Sequence, residues 1–385
     1  MFALMPLAIL GALILVLQRY GPGKALRTSF PPVEDIAFKR IVLQGDDNAR
    51  PKEIVVSVVN NGPSATTVAQ VTVDEAYWPF VITPKNTLKR LESAEIRLRY
   101  PWVDGETHEV KLVTSTGLTF AKEIAVAVPS PRPTWGYLGI FSLLGLYVGV
   151  IPVFLGLLWF PSLRTLSASR LNFLLSLTVG LLVFLVIDAV HEALEIADEL
   201  PGAFDGTALL SAGIGGSLLL LMTVSRRSRA GSAQERIVLA TMIALGIGLH
   251  NLGEGLAIGS AYAVGNIALG GLLVVGFAIH NTTEGLAIVA PVAKDRVTFM
   301  RLVGMGTLAG APTILGAWLG AFTYSAVWSV LFLGIGAGAI AQVVYAILRQ
   351  MNRQSPDTGL LTVGNLAGLA TGFAGMYATG LLVAF

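Results

Sequence analysis

Cysteine is absent from the chain, which excludes disulfides, iron–sulfur clusters and thiolate metal ligands throughout. Histidine is scarce: His108, His191, His250 and His280 are the complete set. Charge is scarce too. Only 13% of the 385 residues are charged, where a soluble chain carries about a quarter. The net charge of +2 is close enough to neutral that no nucleic-acid or other polyanion partner is indicated. A Gly-rich phosphate loop with its lysine is missing, so ATP-driven work is not supported, and so is the His-Glu-x-x-His pair of zinc proteases.

What remains is apolar. Hydrophobic residues make up 54% of the chain and the mean hydropathy is +0.71, the composition of a polytopic α-helical membrane protein with a smaller polar portion. Residues 1–20 begin with an apolar run, Phe2 to Leu17, followed by Arg19, Lys24 and Arg27. A span needs roughly 20 residues. This run is short for one and lacks a small-x-small cleavage site with a basic start, so it reads as an anchor rather than a cleaved signal, with an uncleaved signal helix as the alternative.

Residues 30–130 change character. Ile54–Val59, Ala69–Val73, Glu95–Tyr100, Glu109–Val113 and Lys122–Val128 alternate or run as β-branched strands. Turn signals separate them, at Gly45–Asn48, Asn60–Pro63 and Asp104–Gly105. This predicts an all-β immunoglobulin-like sandwich domain. His108, between Glu106 and Glu109, reads as an exposed strand residue. Pro129–Pro133 then forms a stiff linker.

Residues 135–385 hold eight apolar segments, each long enough to span: Trp135–Phe160, Asn172–Ala197, Thr207–Val224, Ile237–Val264, Ile267–Val292, Phe299–Phe322, Val327–Leu348 and Leu360–Val383. Alternate connections are basic: Arg164 and Arg170; Arg226, Arg227, Arg229 and Arg236; Lys294, Arg296 and Arg301; Arg349 and Arg353. The connections between them, 198–206, 261–266 and 322–326, contain neither lysine nor arginine. The positive-inside rule makes the basic set cytoplasmic. The β domain and the C-terminus then lie outside a plasma (inner) membrane. Arg19, Lys24 and Arg27 conflict with that assignment and are outvoted by four consistent loops.

One stretch within this apolar region is written twice. Residues 250–258 read His-Asn-Leu-Gly-Glu-Gly-Leu-Ala-Ile and residues 280–288 read His-Asn-Thr-Thr-Glu-Gly-Leu-Ala-Ile. On a helix, positions four apart share a face, so His250 pairs with Glu254 and His280 with Glu284. Asn251 and Asn281 sit about 100° round from their histidines. Both copies fall mid-segment in neighbouring helices. Ionisable groups at that depth are costly unless they face an interior site. A lone histidine, or a single His-x-x-x-Glu pair, is more often a packed or self-bonded core group. Duplication at matched depth favours one shared site of nitrogen and oxygen ligands for a divalent metal. Gly255 and Gly285 read equally well as helix-packing residues that allow this approach. A second cluster, Asp188, His191, Glu192 and Glu195, reads evenly as a metal-gathering entrance or as a hydrated helix end.

The sequences His250-Asn-Leu-Gly-Glu-Gly255 and His280-Asn-Thr-Thr-Glu-Gly285 resemble the paired motif of the ZIP (Zrt/Irt-like) divalent metal transporters, in their bacterial and archaeal branch. The resemblance covers residues 135–385 and leaves the β domain aside. It implies an eight-helix ZIP-like bundle that takes zinc, iron, manganese, cobalt or cadmium into the cytoplasm, with a transport unit moving against a scaffold and two copies forming a homodimer. His250, Glu254 and Glu284 match one metal subsite of that family; Asn251, His280 and Asn281 match the adjoining subsite or its rim. Three departures stand out. Gly253 and Thr283 replace the proline that often precedes each motif glutamate. Ala311-Pro312 lacks the carboxylate of the family's Glu-Pro, with Thr313 beside it, and Gln342–Ala346 lacks the acidic end of the seventh span. One main ion is therefore expected, with no cofactor beyond the transported metal and no enzymatic activity. The alternatives are an intramembrane zinc-dependent hydrolase built on His250, His280 and Glu254, and a membrane-anchored adhesion or sensor protein.

Overall fold

The computed structural model describes residues 5–20, 33–46, 50–198, 200, 204–225, 233–263, 267–323, 325–354 and 359–381. Lys24, Arg27, Glu199, Arg226, Arg227 and Arg229 lie outside the described residues. Helix α1 spans Met5–Tyr20.

Among the described residues nine strands follow: β1 (Ile36–Asp46), β2 (Arg50–Asn60), β3 (Thr66–Val73), β4 (Ala76–Tyr77), β5 (Phe80–Thr83), β6 (Thr87–Leu88), β7 (Ser93–Leu98), β8 (His108–Thr114) and β9 (Thr119–Ile124). They form two antiparallel sheets, β1-β2-β7-β5 and β4-β3-β8-β9, with β6 paired to β3. Val56, Val58 and Ile96 of the first sheet and Val71, Val110 and Leu112 of the second share one core, together with Trp102. All five expected strands are present, wholly or partially. The last is shifted, because Ala127 leaves the ladder to exchange bonds with Gly105 and Glu106.

His108 corrects the sequence reading, since it is buried. Inward and outward residues alternate along β8, and His108 is in phase with Val110 and Leu112. Its Nδ1 lies 2.7 Å from Asp74 Oδ2, which also accepts from the Tyr100 hydroxyl at 2.8 Å. Glu109, the next residue, is out of phase with it.

Beyond the proline-rich linker, Thr134 caps α2 (Trp135–Gly145) by accepting from the Tyr137 amide at 3.4 Å. A π-helical turn, Leu146–Val150, then widens the helix before α3 (Ile151–Leu157) and the short α4 (Phe160–Leu163). Next come α5 (Ala168–Asp198), α6 (Gly206–Ser225), α7 (Ala233–Ala263), α8 (Ile267–Val289), α9 (Phe299–Gly310), α10 (Pro312–Thr323), α11 (Ala326–Gln354) and α12 (Val363–Leu381).

Seven stretches of helix among the described residues are long and apolar enough to cross a membrane, from Trp135–Leu163 to Ala326–Arg353. That is compatible with a polytopic membrane protein. The eighth expected segment is helical as α12 over Val363–Leu381, and its last two residues, 382 and 383, lie outside the described residues.

Close approach of backbones sets the bundle. Gly255 and Gly259 of α7 face Gly316 and Gly320 of α10, and a Cβ on any of the four would strike main chain of the other helix. Gly285 of α8 and Gly156 of α3 meet in the same way, and so do Gly180 of α5 with Leu369 and Phe373 of α12. One end of the bundle is tied by charge. Arg236 makes a two-point pair with Asp295 at 2.6 and 2.7 Å, Arg353 meets Glu235 at 3.0 Å, and Lys294 donates to the carbonyls of Arg164 and Leu166. Four of the basic segments thus gather at one end. The β domain touches the other: Arg40 and Ser130 reach carbonyls at the C-terminal ends of α10 and α7.

Candidate metal centre

The duplicated motif places His250, Asn251 and Glu254 on α7 and His280, Asn281 and Glu284 on α8, and all six side chains are buried. The glycine that closes each copy has the same job in both. Gly255 seats α7 on α10 and Gly285 seats α8 on α3, so each motif is clamped by a tight helix pair on its far side.

The two asparagines also share a job. Asn281 Nδ2 donates to the carbonyl of Val148 at 3.0 Å, within the π turn. That carbonyl lies four residues before Pro152, which has no N–H to offer it. Asn251 Nδ2 donates to the carbonyl of Ala309 at 3.1 Å, at the end of α9 just before the break at Pro312. The two irregular turns pack on each other, since a Cβ at Gly149 would meet Gly310 and Thr313, and one at Gly310 would meet Gly149 and Val150. Each asparagine therefore ties its helix to a buried main-chain carbonyl beside a proline-associated break. The prolines are visible in the sequence; the pairing of Asn281 with the Pro152 turn has no signal there.

The acidic groups are used unequally. Glu254 is engaged: its Oε1 pairs with His280 Nε2 and its Oε2 accepts from Asn281 Nδ2 at 2.8 Å. Glu284 is not. Both its carboxylate oxygens are buried without a hydrogen-bond partner, as are both ring nitrogens of His250 and the side-chain oxygens of Asn251 and Asn281. These make six of the twelve such atoms found among the described residues. Buried polar atoms are satisfied in the great majority of cases, so a concentration of orphans calls for an explanation such as an ordered water or an ion. His250 Nε2 lies 3.5 Å from Glu254 Oε1, within ion-pair reach but without hydrogen-bond alignment.

One donor atom from each of His250, His280 and Glu284 lies within 4.8 Å of the others. Donors around one tetrahedral zinc at about 2.0–2.2 Å lie roughly 3.3–3.6 Å apart, a closer spacing than the 4.8 Å that bounds this trio. The sequence grouping put Glu254 with His250 and Glu284, and His280 in the neighbouring subsite. In the structure a donor atom of His280 lies with those of His250 and Glu284, and Glu254 Oε1 is within reach of both histidines. Thr313, which stands near the missing carboxylate at Ala311, is fully buried with an unpartnered hydroxyl.

The second acidic cluster divides. Asp188, His191 and Glu195 are exposed, with His191 Nδ1 3.7 Å from Glu195 Oε1. Glu192 is half-buried and close enough to His250 and Glu254 to feel their charge. Gln342 of α11 is buried with its side-chain oxygen unpaired.

No family model matches the chain, and no curated protein sequence matches it.

Proposed function

We propose that the chain carries a divalent transition-metal cation across a membrane, zinc first among the ions that nitrogen and oxygen donors suit. The observation that carries this reading is the set of buried, unpartnered donors on His250, Glu284, Asn251 and Asn281, held between helices that are apolar enough to span. Uncompensated groups of this kind are expensive at bilayer depth and mark ion pathways. Further support comes from the likeness of both motif copies to those of the ZIP transporters, which adds a dimeric assembly and movement of the ion toward the basic, cytoplasmic end.

In this reading His250, His280 and Glu284 take the ion, and the two asparagine oxygens stand ready as neutral ligands. Glu254 supplies the second negative charge and holds His280 in place. Half-buried Glu192 leads from the exposed Asp188 toward His250, which gives the cluster on α5 the role of a collecting arm. The β domain is extracytoplasmic.

The experiment is metal uptake into proteoliposomes by the full chain and by the His250→Ala and Glu284→Ala variants. Both variants should lose uptake of zinc, iron and manganese. Full-rate uptake by either one would remove the site. Turnover of a substrate with no net ion movement would favour a hydrolase instead.

A further inference from the structure

β1 carries a bulge between Phe38 and Arg40, where Phe38 faces Val58 and Arg40 faces the next residue back, Ser57. A bulge re-aims the side chain beside it. Here it turns Arg40 away from the sheet and onto α10, where Nη1 donates to the Phe322 carbonyl at 2.5 Å and Nη2 to the Ala321 carbonyl at 3.2 Å. The last four carbonyls of a helix lack intrahelical donors and carry its negative pole. A cation from a distant region of the chain therefore caps α10.

A second tie lies beside it. Ser130 is pinned to β1, accepting from the Leu43 amide at 3.0 Å and donating its own amide to the Leu43 carbonyl at 3.0 Å. Its hydroxyl lies 3.5 Å from the carbonyl of Ala263, the last residue of α7. One strand thus holds the ends of both helices in the glycine-packed pair.

Directly beneath, Phe322 meets Phe141 edge-on at 5.6 Å, and Phe141 meets Tyr262 at 6.3 Å. Tyr262, Ile258, Glu254 and His250 are spaced by four along α7 and so lie on one face. Ile258 is 1% exposed and sits one turn above Glu254. The series steps from the helix end held by Arg40, through the aromatic trio and the next residue of that face of α7, Ile258, to Glu254 of the candidate centre, about 13 Å below the end of α7 at 1.5 Å per residue.

We propose that the β domain is a latch: while Arg40 holds the end of α10 the aromatic trio stays closed, and release of Arg40 opens the buried centre to the β-domain side. This rests on the transport reading for its purpose, though not for its mechanics.

The test uses the absence of native cysteine. Ile258→Cys is introduced into the full chain in vesicles, and labelling by a soluble maleimide is timed with Arg40 intact, with Arg40→Lys and with Arg40→Ala. Labelling should be about tenfold faster with Arg40→Ala, the rate equivalent of losing a charge-assisted hydrogen bond, and nearly unchanged with Arg40→Lys, which keeps the cation. Equal rates in all three overturn the proposal. Should Arg40→Ala fail to assemble, judged by trypsin resistance of the β domain, Ser130→Ala decides in its place: faster labelling supports the latch and an unchanged rate overturns it. Zinc uptake is measured in the same vesicles without Ile258→Cys. A chain whose labelling responds to Arg40 but which moves no zinc keeps the latch and loses the transport reading.

Discussion

Asn281 donates from α8 to Glu254 on α7, its Nδ2 lying 2.8 Å from Oε2 and, in the other direction, 3.0 Å from the Val148 carbonyl. The amide is shared between a carboxylate and a main-chain oxygen, and its own oxygen is buried without a partner. Asn281→Ala should therefore lower zinc affinity about 10–100-fold, the usual cost of losing a group that orients a ligand, without loss of the fold. Calorimetric titration of the purified protein reads the affinity, and an unchanged constant would separate Asn281 from the centre.

The two histidines should differ in what they contribute to stability. His250 makes no hydrogen bond, while His280 pairs with the buried Glu254. His280→Ala strands that carboxylate with Asn281 as its remaining hydrogen-bond donor, at a cost of about 3 kcal/mol. His250→Ala should cost far less while abolishing zinc binding equally. Thermal unfolding in detergent gives the comparison; equal drops in Tm for the two variants would contradict the described pairing.

Glycine positions offer a graded check on packing. Gly255→Ala and Gly285→Ala each drive a methyl into the main chain of the facing helix and should destabilise by about 1–3 kcal/mol. At Gly271 an added Cβ meets nothing within 4 Å, so Gly271→Ala should leave Tm unchanged. The ordering of the three melting points is the readout, and a large loss at Gly271 would disprove it.

In the β domain, Asp74 and Tyr100 set opposite pH limits. Burial opposes the charge of Asp74, but hydrogen bonds from the Glu109 amide, His108 and Tyr100 prevail and hold its pKa below the usual aspartate value. Its stabilisation is present above the unfolded pKa and is lost as pH falls through the lower, folded one. Burial and then the Asp74 hydrogen bond push Tyr100 up to about 12. Its stabilisation is complete below about 10, the unfolded value, and is lost as pH rises toward 12. Trp78 packs edge-on to Tyr100 at 4.9 Å, so tryptophan fluorescence should report the alkaline loss in the full chain. Tyr100→Phe should remove that alkaline limb and shrink the acid limb without abolishing it, since the Glu109 amide and His108 still hold Asp74; an alkaline limb that persists in the variant would assign it to another group.

Hydrophobic run length and the repeated nonapeptide made the helices and the six buried site residues legible from sequence, because both signals are local and periodic. Partnership was less legible. Nothing in the spacing says that Glu254 turns to His280 rather than to its own His250, since the choice depends on how α7 and α8 are rotated by Gly255 and Gly285 against other helices. β1 is hidden in the sequence because Lys39 and Arg40 interrupt its apolar pattern; Lys39 reaches the Ser93 hydroxyl on β7 and Arg40 the end of α10. His108 could have been placed correctly by counting in twos from Val110. The asparagine acceptors leave almost no trace, for they are main-chain carbonyls.

That last point bears on how the protein tolerates change. A substitution at Val148 alters a side chain and keeps the oxygen that Asn281 uses. Replacing Pro152 does the reverse, restoring an amide that competes for the same oxygen from within the helix. Damage to the centre would then trace to a buried ring with no hydrogen to donate, one turn from the contact it protects, while the residue in contact answers only for its packing.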